Sequence, residues 1–210
     1  MHMNDDQRRN LLAKIYASQF ASDDGISYVA RNTQLDVEDL KAEFEVLQSG
    51  GLIDFAYGRY LLANSGRKKI VVVMTGGAFD IIHPGHIETL EQARSLGDAL
   101  IVSVARDSTF ERNKKRKPQH NEVLRRKLVS SLRPVDSAVL GSETDIFETV
   151  DLLKPDIIAL GYDQAHDETR ILEEVKKRGL TVRVIRLKSS NPDIKTTSLI
   201  GQSNSALAGL

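Results

Sequence analysis

The sequence contains neither cysteine nor tryptophan among its 210 residues. Without cysteine, the chain can form no disulfide and no zinc site with thiolate ligands. No apolar run approaches the roughly 20 residues that span a bilayer. The polar start of the chain also lacks the apolar segment of a signal peptide. We therefore expect a cytoplasmic protein with no membrane segment.

The chain also lacks net charge, because 29 basic residues balance 29 acidic ones. The balance is uneven along the sequence, since residues 1–65 carry a net charge of about −4 and the remainder about +4. Hydrophobic residues make up 40% of the chain and charged residues 28%, which is typical of a globular protein. The two parts are therefore predicted to have different electrostatic roles.

The polar stretch NSGRKK at 64–69 separates two kinds of pattern, and we read it as a hinge. It divides the chain into a small domain at 1–65 and a larger one at 66–210. Ahead of the hinge, apolar residues at helical spacing predict three short helices, and a β-ribbon follows with its turn near Tyr57-Gly58. This order resembles a winged helix. The helices are predicted at 7–20, around 26–30 and at 36–49, and the ribbon at 52–62.

The predicted third helix argues against DNA binding by this small domain. In a winged-helix DNA reader that helix enters the major groove and neutralises phosphates. Here it carries five acidic residues against Lys41 alone, so it would repel a duplex. We expect the domain to pack against a second copy or against the larger domain, with Phe55, Tyr57 and Tyr60 as candidate contact residues.

Beyond the hinge, short runs of β-branched residues alternate with amphipathic helical patterns. Such alternation is typical of a parallel sheet that helices cover on both faces. We therefore predict an α/β fold, a doubly wound parallel sheet of about five strands. The strands are predicted at 70–75, 99–105, 137–140, 157–161 and 181–186, and the helices at 86–96, 122–132, 144–153 and 167–178.

The segment GGAFDIIHPGH at 76–86 follows the first predicted strand, where a doubly wound sheet binds its ligands. Glycines there allow the backbone to approach a phosphate, and Pro84 suits the first turn of a helix. His83 and His86 then lie one above the other at the helix start, where both can donate hydrogen bonds to phosphate oxygens. The spacing matches neither GxGxxG nor GxxxxGK[ST]. No third His or Cys follows at ligand spacing, so we predict no metal site.

The stretch GAFDIIHPGH is similar to the (G)xFDxxHxGH signature of the cytidylyltransferase-like nucleotidyltransferases, and the resemblance extends over about residues 69–200. It implies that both histidines bind nucleotide phosphates and stabilise the transition state. The family usually has Thr or Ser where Ala78 stands, so one hydroxyl donor is missing, and Thr75 is a candidate replacement. The other nucleotide-binding residues implied in this loop are Gly76, Gly77, Ala78, Phe79 and Asp80.

Two basic segments continue the resemblance. ERNKKRKP at 111–118 is predicted to be a mobile loop, and the family places a catalytic lysine here. Lys114 and Lys117 are the best candidates, with Arg116 as an alternative. In LRRKLVSSLRPVD at 124–136, Arg126 and Arg133 match phosphate-binding arginines of the family, and Arg133 is also assigned to catalysis. Arg125 and Lys127 are predicted to lie on an exposed helix face.

Two further segments bear on the substrate. GYDQ at 161–164 is similar to archaeal-type FAD synthases, whereas cytidylyltransferases usually have a GDDW-like sequence. The resemblance implies that Asp163, Tyr162 and Asp107 contact substrate, although Asp163 or Asp167 could instead cap the next helix. In IKTTSLI at 194–200, Thr196 and Thr197 are implied to hold the β- and γ-phosphates. A simple N-cap is the alternative there.

The resemblance implies transfer of AMP from ATP to FMN, which gives FAD and pyrophosphate, with Mg²⁺ on the ATP phosphates. One alternative is a CTP-dependent cytidylyltransferase that acts on a polyol phosphate such as glycerol 3-phosphate. Another is a DNA-binding regulator with an inactive nucleotide-sensing domain. ATP and FMN are the expected partners, and a homodimer is left open.

Overall fold

The computed structural model describes residues 3–21, 24–164 and 166–188. Its N-terminal part contains three helices, whose N-caps are Asn4, Asp24 and Asp36. The Asp36 side chain accepts from the backbone N–H of Asp39 at 2.8 Å, the cap that an aspartate commonly provides. The three helices are α1 (Asp5–Ser18), α2 (Gly25–Thr33) and α3 (Val37–Ser49).

An antiparallel ribbon follows, formed by β1 (Ile53–Ala56) and β2 (Arg59–Leu62). Its two-residue turn is Tyr57-Gly58, as predicted. Both residues have positive φ, +53° for Tyr57 and +75° for Gly58, which matches the twist of the flanking strands. The three helices and the ribbon thus occur in the predicted order, while the likeness to a winged helix stays an interpretation.

The stretch predicted to be a hinge is instead a short helix, α4 (Asn64–Arg67), held by tertiary contacts. Gly66 lies so close to Leu52 that a Cβ at this position would be 2.1 Å from the Leu52 carbonyl oxygen. Arg67 donates to the Lys154 carbonyl oxygen at 2.7 Å and pairs with Asp156 at 2.8 Å. The connection is therefore docked on both of the parts that it joins.

The remainder forms a five-stranded, wholly parallel sheet with the order β5-β4-β3-β6-β7. The order reverses between β3 and β6, which creates the crevice at the carboxyl ends of the strands where such sheets bind ligands. The prediction of a doubly wound α/β fold is confirmed. The strands are β3 (Val72–Gly77), β4 (Ala99–Val104), β5 (Ser137–Leu140), β6 (Ile157–Leu160) and β7 (Arg183–Arg186).

In the described part of this domain, five helices accompany the sheet, one more than the four predicted there. The addition is α6, which includes the first half of the segment expected to be a mobile basic loop, so that expectation was wrong for residues 111–114. Lys114 is the last residue of α6, and Lys115 ends the helix in the left-handed region with φ +57°. The helices are α5 (Pro84–Arg94), α6 (Asp107–Lys114), α7 (Glu122–Ser130), α8 (Ile146–Leu153) and α9 (Glu168–Lys177).

Successive residues of the central strands face opposite sides of the sheet, and each side is covered by an apolar layer. On one face, Val73 and Leu100 pack with Leu90 of α5 and Val129 of α7. On the other face, the sheet packs against α8, α9 and the N-terminal helices in one continuous cluster. The sheet residues of that second face are Val72, Met74, Ala99, Ile101, Val139, Ile158 and Leu160.

Polar contacts fix α1 and α2 on this second face. The buried carboxylate of Asp136 pairs with Lys14 of α1 and, at 3.3 Å, with Arg94 of α5. Tyr28 of α2 donates to the Asp136 carbonyl oxygen, and Tyr16 of α1 donates to the Leu153 carbonyl oxygen. Buried groups of this kind are stable only when paired, so they specify how the two parts meet.

The N-terminal part therefore packs against the sheet, as one of the two predicted alternatives proposed, but through other residues. Phe55 and Tyr57 do not form this contact, since their side chains are 55% and 96% exposed. Tyr60 packs within the N-terminal part, with its ring 4.4 Å from that of Phe44. Among the described residues, no helix is both long and apolar enough to cross a membrane.

Candidate active site

The loop after β3 carries the motif and has a constrained backbone. Phe79 adopts a φ of +50°, which is uncommon for a residue other than glycine. Its buried ring lies over Gly77, where a Cβ would be 2.8 Å from the nearest ring carbon. The same ring is 5.2 Å from that of His86. Phe79 is thus a packing element beneath the histidines, and the glycine at 77 makes room for it.

Arg125, on α7, bonds the backbone of this loop. It was predicted to be exposed on a helix face, but its side chain is fully buried, with 0% exposed. The guanidinium donates to the carbonyl oxygens of Ala78, Ala105 and His120, and it pairs with Asp107 at 2.7 Å. A buried guanidinium needs such partners, because an unpaired one is very costly. Arg125 therefore joins three loops at the carboxyl end of the sheet.

Asp80 anchors the basic segment to the motif loop. Its side chain is only 3% exposed, and it pairs with Arg116 at 2.7 Å and accepts from the Gln119 backbone N–H at 2.6 Å. Asp80 was predicted to bind nucleotide, but its carboxylate is occupied by these two donors. The anchor leaves the side chains of Lys114 and Lys117 exposed on either side of Arg116. The structure thus brings both candidate lysines to the neighbourhood of the motif loop.

His83 and His86 form a stacked pair at the start of α5, as the sequence predicts. Their ring centroids are 3.9 Å apart, with 37° between the ring planes. His83 occupies the N-cap position, yet its side chain makes no capping hydrogen bond, and Pro84 follows as the first helical residue. Within the described part of the chain, the buried Nδ1 atoms of both rings have no hydrogen-bond partner. The pair therefore has hydrogen-bonding capacity left for a ligand.

Burial keeps both imidazoles neutral near pH 7. Desolvation lowers the pKa of His86 from 6.5 to about 4, helped by repulsion from His83, and desolvation also lowers the pKa of His83. The Asp163 carboxylate opposes both shifts by raising the pKa of each ring. A neutral imidazole still offers one N–H donor. A bound phosphate would favour the charged form and could draw a proton to the pair.

The loop after β6 is tied to the loop after β3 by Gln164. Its amide nitrogen donates to the Gly76 carbonyl oxygen at 2.6 Å, and its amide oxygen accepts from the Gly161 backbone N–H at 3.2 Å. Asp163 lies exposed on this loop, and Tyr162 is half-buried. The cap of α9 is Asp167, which accepts from the Thr169 backbone N–H at 2.9 Å. Asp163 is thus available for another role.

Other predicted residues fall elsewhere. Arg133 is exposed between α7 and β5, three residues before Asp136, whose carboxylate accepts from the Leu100 backbone N–H at the start of β4. The connection between α7 and β5 therefore lies at the amino edge of the sheet, opposite the motif loop, so the structure does not bring Arg133 to the site. Arg126, partly exposed on α7, follows Arg125 near the carboxyl edge.

The Thr75 hydroxyl is not available at the motif loop. The Thr75 side chain is buried and donates to the Ala159 carbonyl oxygen at 2.8 Å, so it cannot replace the hydroxyl missing at Ala78. Thr196 and Thr197 lie outside the described residues.

Three residues that shape the site were given no such role from the sequence: Arg125, Gln164 and Arg186. Arg125 precedes the core residue Val129 by four positions, a spacing that places both on one helix face, so its burial had a detectable signal. Arg186 is a cation at the carboxyl end of the last strand, where it can reach neighbouring loops. Nothing in the sequence indicates the partner of Gln164.

The arrangement suits phosphate chemistry that needs no protein nucleophile. Neutral donors, a helix N-terminus and exposed cations can hold a phosphate chain and stabilise charge as a phosphoryl bond breaks. Within the described ranges, no group of three or more His, Cys, Asp or Glu could hold a metal ion.

Comparison with known proteins gives a family match over most of the sheet domain. The cytidylyltransferase-like family model matches residues 74–202. The match begins within β3, so α1 to α4 and the ribbon lie outside it.

Curated relatives match the same part of the chain. The FAD synthase of Aciduliprofundum boonei is 58% identical over 119 residues, which cover 57% of this chain and 79% of that one. The FAD synthase of Thermoplasma acidophilum is 44% identical over 140 residues, which cover 67% of this chain and 98% of that one. The second alignment leaves about a third of this chain without a counterpart.

A solved structure from Thermoplasma volcanium, described as a lipopolysaccharide core biosynthesis protein, is also similar. It has a TM-score of 0.55 and 47% identity, and the alignment covers 57% of this chain and 98% of that one.

Proposed function

Because this chain belongs to the cytidylyltransferase-like family, we propose that it is an FAD synthase, which transfers AMP from ATP to FMN. The structural observation that carries the proposal is the neutral pair His83 and His86, stacked at the start of α5 beside Asp163. The sequence 161–164 is the one that resembles FAD synthases, and the relatives at 58% and 44% identity bear that name.

In the proposed reaction, a phosphate oxygen of FMN attacks the α-phosphorus of ATP. The bond from that phosphorus to the bridging oxygen of the β-phosphate breaks, and pyrophosphate leaves with the electron pair. His83 and His86 donate hydrogen bonds to phosphate oxygens and stabilise the charge that develops in the transition state. The remaining contribution is positioning, since the two substrates already carry the reacting groups.

The other site residues are assigned by proposal. Lys114 and Lys117 would close over the triphosphate from the segment that Asp80 anchors, and Arg126 would contact it from α7. Asp163, Tyr162 and Asp107 would contact the acceptor, with Asp107 limited by its pairing to Arg125. Thr196 and Thr197 would hold the departing pyrophosphate.

Mg²⁺ would arrive bound to the phosphates of ATP rather than in a preformed protein site. Such an arrangement is usual for this ion, which keeps several waters and takes few protein ligands. Mg²⁺ would supply neutralisation of phosphate charge. We further propose that the enzyme works in the cytoplasm, and a homodimer remains part of the proposal.

The test supplies either ATP or CTP as the nucleotide and either FMN or glycerol 3-phosphate as the acceptor, and every combination contains Mg²⁺. Pyrophosphate release and the coupled product are measured together. We expect FAD and pyrophosphate in equal amounts from ATP with FMN alone. Product from CTP with glycerol 3-phosphate, and none from ATP with FMN, would overturn the substrate assignment. A full set of negative results would instead support a sensor without turnover.

A further inference from the structure

Arg186, at the end of β7, holds the loop that follows β6. Its guanidinium donates to the carbonyl oxygens of Gly161 at 3.1 Å, Gln164 at 2.9 Å and His166 at 2.8 Å. The same group pairs with Glu168 at the start of α9 at 2.7 Å. One side chain thus bonds both ends of the short loop that carries Asp163. Bonds of this kind, from a charged donor, are about twice as strong as neutral ones.

The loop has a second tie, on its other side. The Gln164 side chain reaches the Gly76 carbonyl oxygen, at the end of the strand that leads to the motif. Arg186 also bonds the backbone of Gln164, so it fixes the residue that makes this tie. The loop is therefore held by β7 on one side and by β3 on the other. Asp163 lies between two of the bonded residues, Gly161 and Gln164.

Asp163 itself is exposed, and the bonds that tie its loop are made by neighbouring residues. Its carboxylate nevertheless acts electrostatically on both histidines. Its position relative to the rings must then come from the backbone of its loop. A short polar loop without such ties would sample many positions, and ordering it would cost binding free energy.

We propose that Arg186 is a positioning residue, which holds the backbone of Gly161, Gln164 and His166 so that Asp163 faces the histidine pair and the bound acceptor. The inference rests on the proposed function for the identity of the substrates. The part that concerns the position of the loop does not depend on that function. Arg186 acts through Asp163 and does not itself touch the reacting phosphates.

A double-mutant cycle tests this. Arg186→Gln should lower kcat/KM for FMN by roughly tenfold to a hundredfold, the scale of a small misplacement of reacting groups. When Asp163→Asn is already present, adding Arg186→Gln should lower kcat/KM for FMN by a further factor of less than about three, because the two residues act as one unit. Arg183→Gln is the matched control on the same strand, since Arg183 is exposed, and it should leave kcat/KM unchanged. Additive losses, or an unaffected Arg186→Gln variant, would overturn the proposal.

A second measurement needs no substrate, so it separates this inference from the proposed function. The ring signals of His83 and His86 are followed by NMR as the pH falls. In Arg186→Gln both should titrate at lower pH than in the unaltered protein, because Asp163 no longer faces the rings, and Asp163→Asn should show the same shift. Unchanged titration in Arg186→Gln would reject the positioning role. If Arg186→Gln does not fold, Arg186→Lys takes its place, because it keeps the charge but has fewer directed donors. The histidines of Arg186→Lys should titrate at a lower pH than in the unaltered protein, by less than in Asp163→Asn.

Discussion

Under the proposed function, His83 and His86 would meet a highly charged substrate as neutral rings. Burial that removes their charge in the free protein also keeps their N–H donors out of competition with water. A neutral donor in such a place becomes more favourable as negative charge builds up on the phosphate oxygens. The pair is therefore better matched to the transition state than to the resting site.

We predict that His83→Ala and His86→Ala each lower turnover by roughly a hundredfold or more, the scale of losing one donor to the transition state. Steady-state rates of pyrophosphate release measure this. His120→Ala is the control, since His120 has an exposed side chain. Circular dichroism checks that each variant is folded, and a folded variant with near-normal turnover would refute the catalytic assignment.

The pH dependence of stability should also carry a contribution from His86. Because its pKa in the folded protein is about 4, the unfolded chain binds more protons between pH 6.5 and 4. This contribution is complete above about pH 6.5 and is lost as the pH falls towards 4, by up to about 3.4 kcal/mol. Urea unfolding at pH 7 and 4.5 should show a smaller pH effect for His86→Gln than for the unaltered chain. An equal effect in both would contradict the burial argument.

At this scale, the sequence predicts the histidines and their spacing, because a signature fixes residue types that face a ligand. It does not predict that the side chains of Asp80 and Arg125 bond residues of neighbouring loops. Contacts to a loop and to a nucleotide use the same charged side chains, and only the tertiary partner distinguishes them. Arg133 was misassigned for a related reason, since a linear match does not tell which edge of the sheet a connection reaches.

At the scale of elements, Asp80 anchors the segment from Lys114 to Gln119, through its ion pair with Arg116 and the bond from the Gln119 backbone N–H. Asp80→Asn and Arg116→Gln should each raise the KM for ATP by about tenfold, because either change frees the segment that carries Lys114 and Lys117. The double variant should be no worse than either single one, because both changes break one interaction.

Initial rates at varied ATP measure this prediction. Direct contact between Asp80 and the nucleotide would give a different pattern. Asp80→Asn would then be far more damaging than Arg116→Gln, and the losses would add.

The strands were predicted well because each is a short apolar run that follows a polar or helical stretch, and all but the edge strand β7 are mostly buried. The two helices that were missed, α4 and α6, are short and polar. Tertiary contacts stabilise them, such as Gly66 against Leu52 and Phe110 beneath Arg116. Periodicity has too few residues to reveal elements of this length.

At the scale of the molecule, the N-terminal part contributes to the layer that covers the sheet. A chain of residues 64–210 would expose Met74 and Ile101 and leave the Asp136 carboxylate without Lys14. We predict that its melting temperature falls by at least about 10 °C, the shift expected for a loss of about 3 to 4 kcal/mol in a chain of this size.

Thermal melting by circular dichroism, with a dye that binds exposed apolar surface, measures the effect. Lys14→Met is the matched control, because it removes the ion pair and keeps α1 in place. A truncated chain that melts with the full one would show that the two parts are independent.

We also predict that the full chain does not bind duplex DNA. The exposed side of α3 presents Glu38, Asp39 and Glu45, and the Lys41 ammonium is paired with Glu38 at 2.9 Å. Binding of a phosphate backbone requires cations that can replace counterions. Fluorescence anisotropy with a mixed-sequence duplex at physiological salt should show no binding at micromolar protein. Salt-sensitive binding at that concentration would revive a regulatory role.

The sequence indicates two parts but not how they meet. The apolar stripe of α1 predicts that one face is buried, without stating whether the partner is a ribbon, a second copy or the sheet. The contact depends on Lys14, Tyr16 and Tyr28 finding Asp136 and Leu153, which lie more than a hundred positions away. Long-range pairs of this kind leave no periodic trace in the sequence.

The tip of the ribbon is a suitable position for attaching a label. Tyr57 is 96% exposed and lies outside the residues that form the site, and its backbone already tolerates a side chain at positive φ. Exchange of one non-glycine residue for another leaves that backbone cost unchanged. Since the chain has no cysteine, Tyr57→Cys would create a single thiol, open to a maleimide dye or a surface linker. The enzyme could then be labelled or immobilised at one known point while the site faces solution.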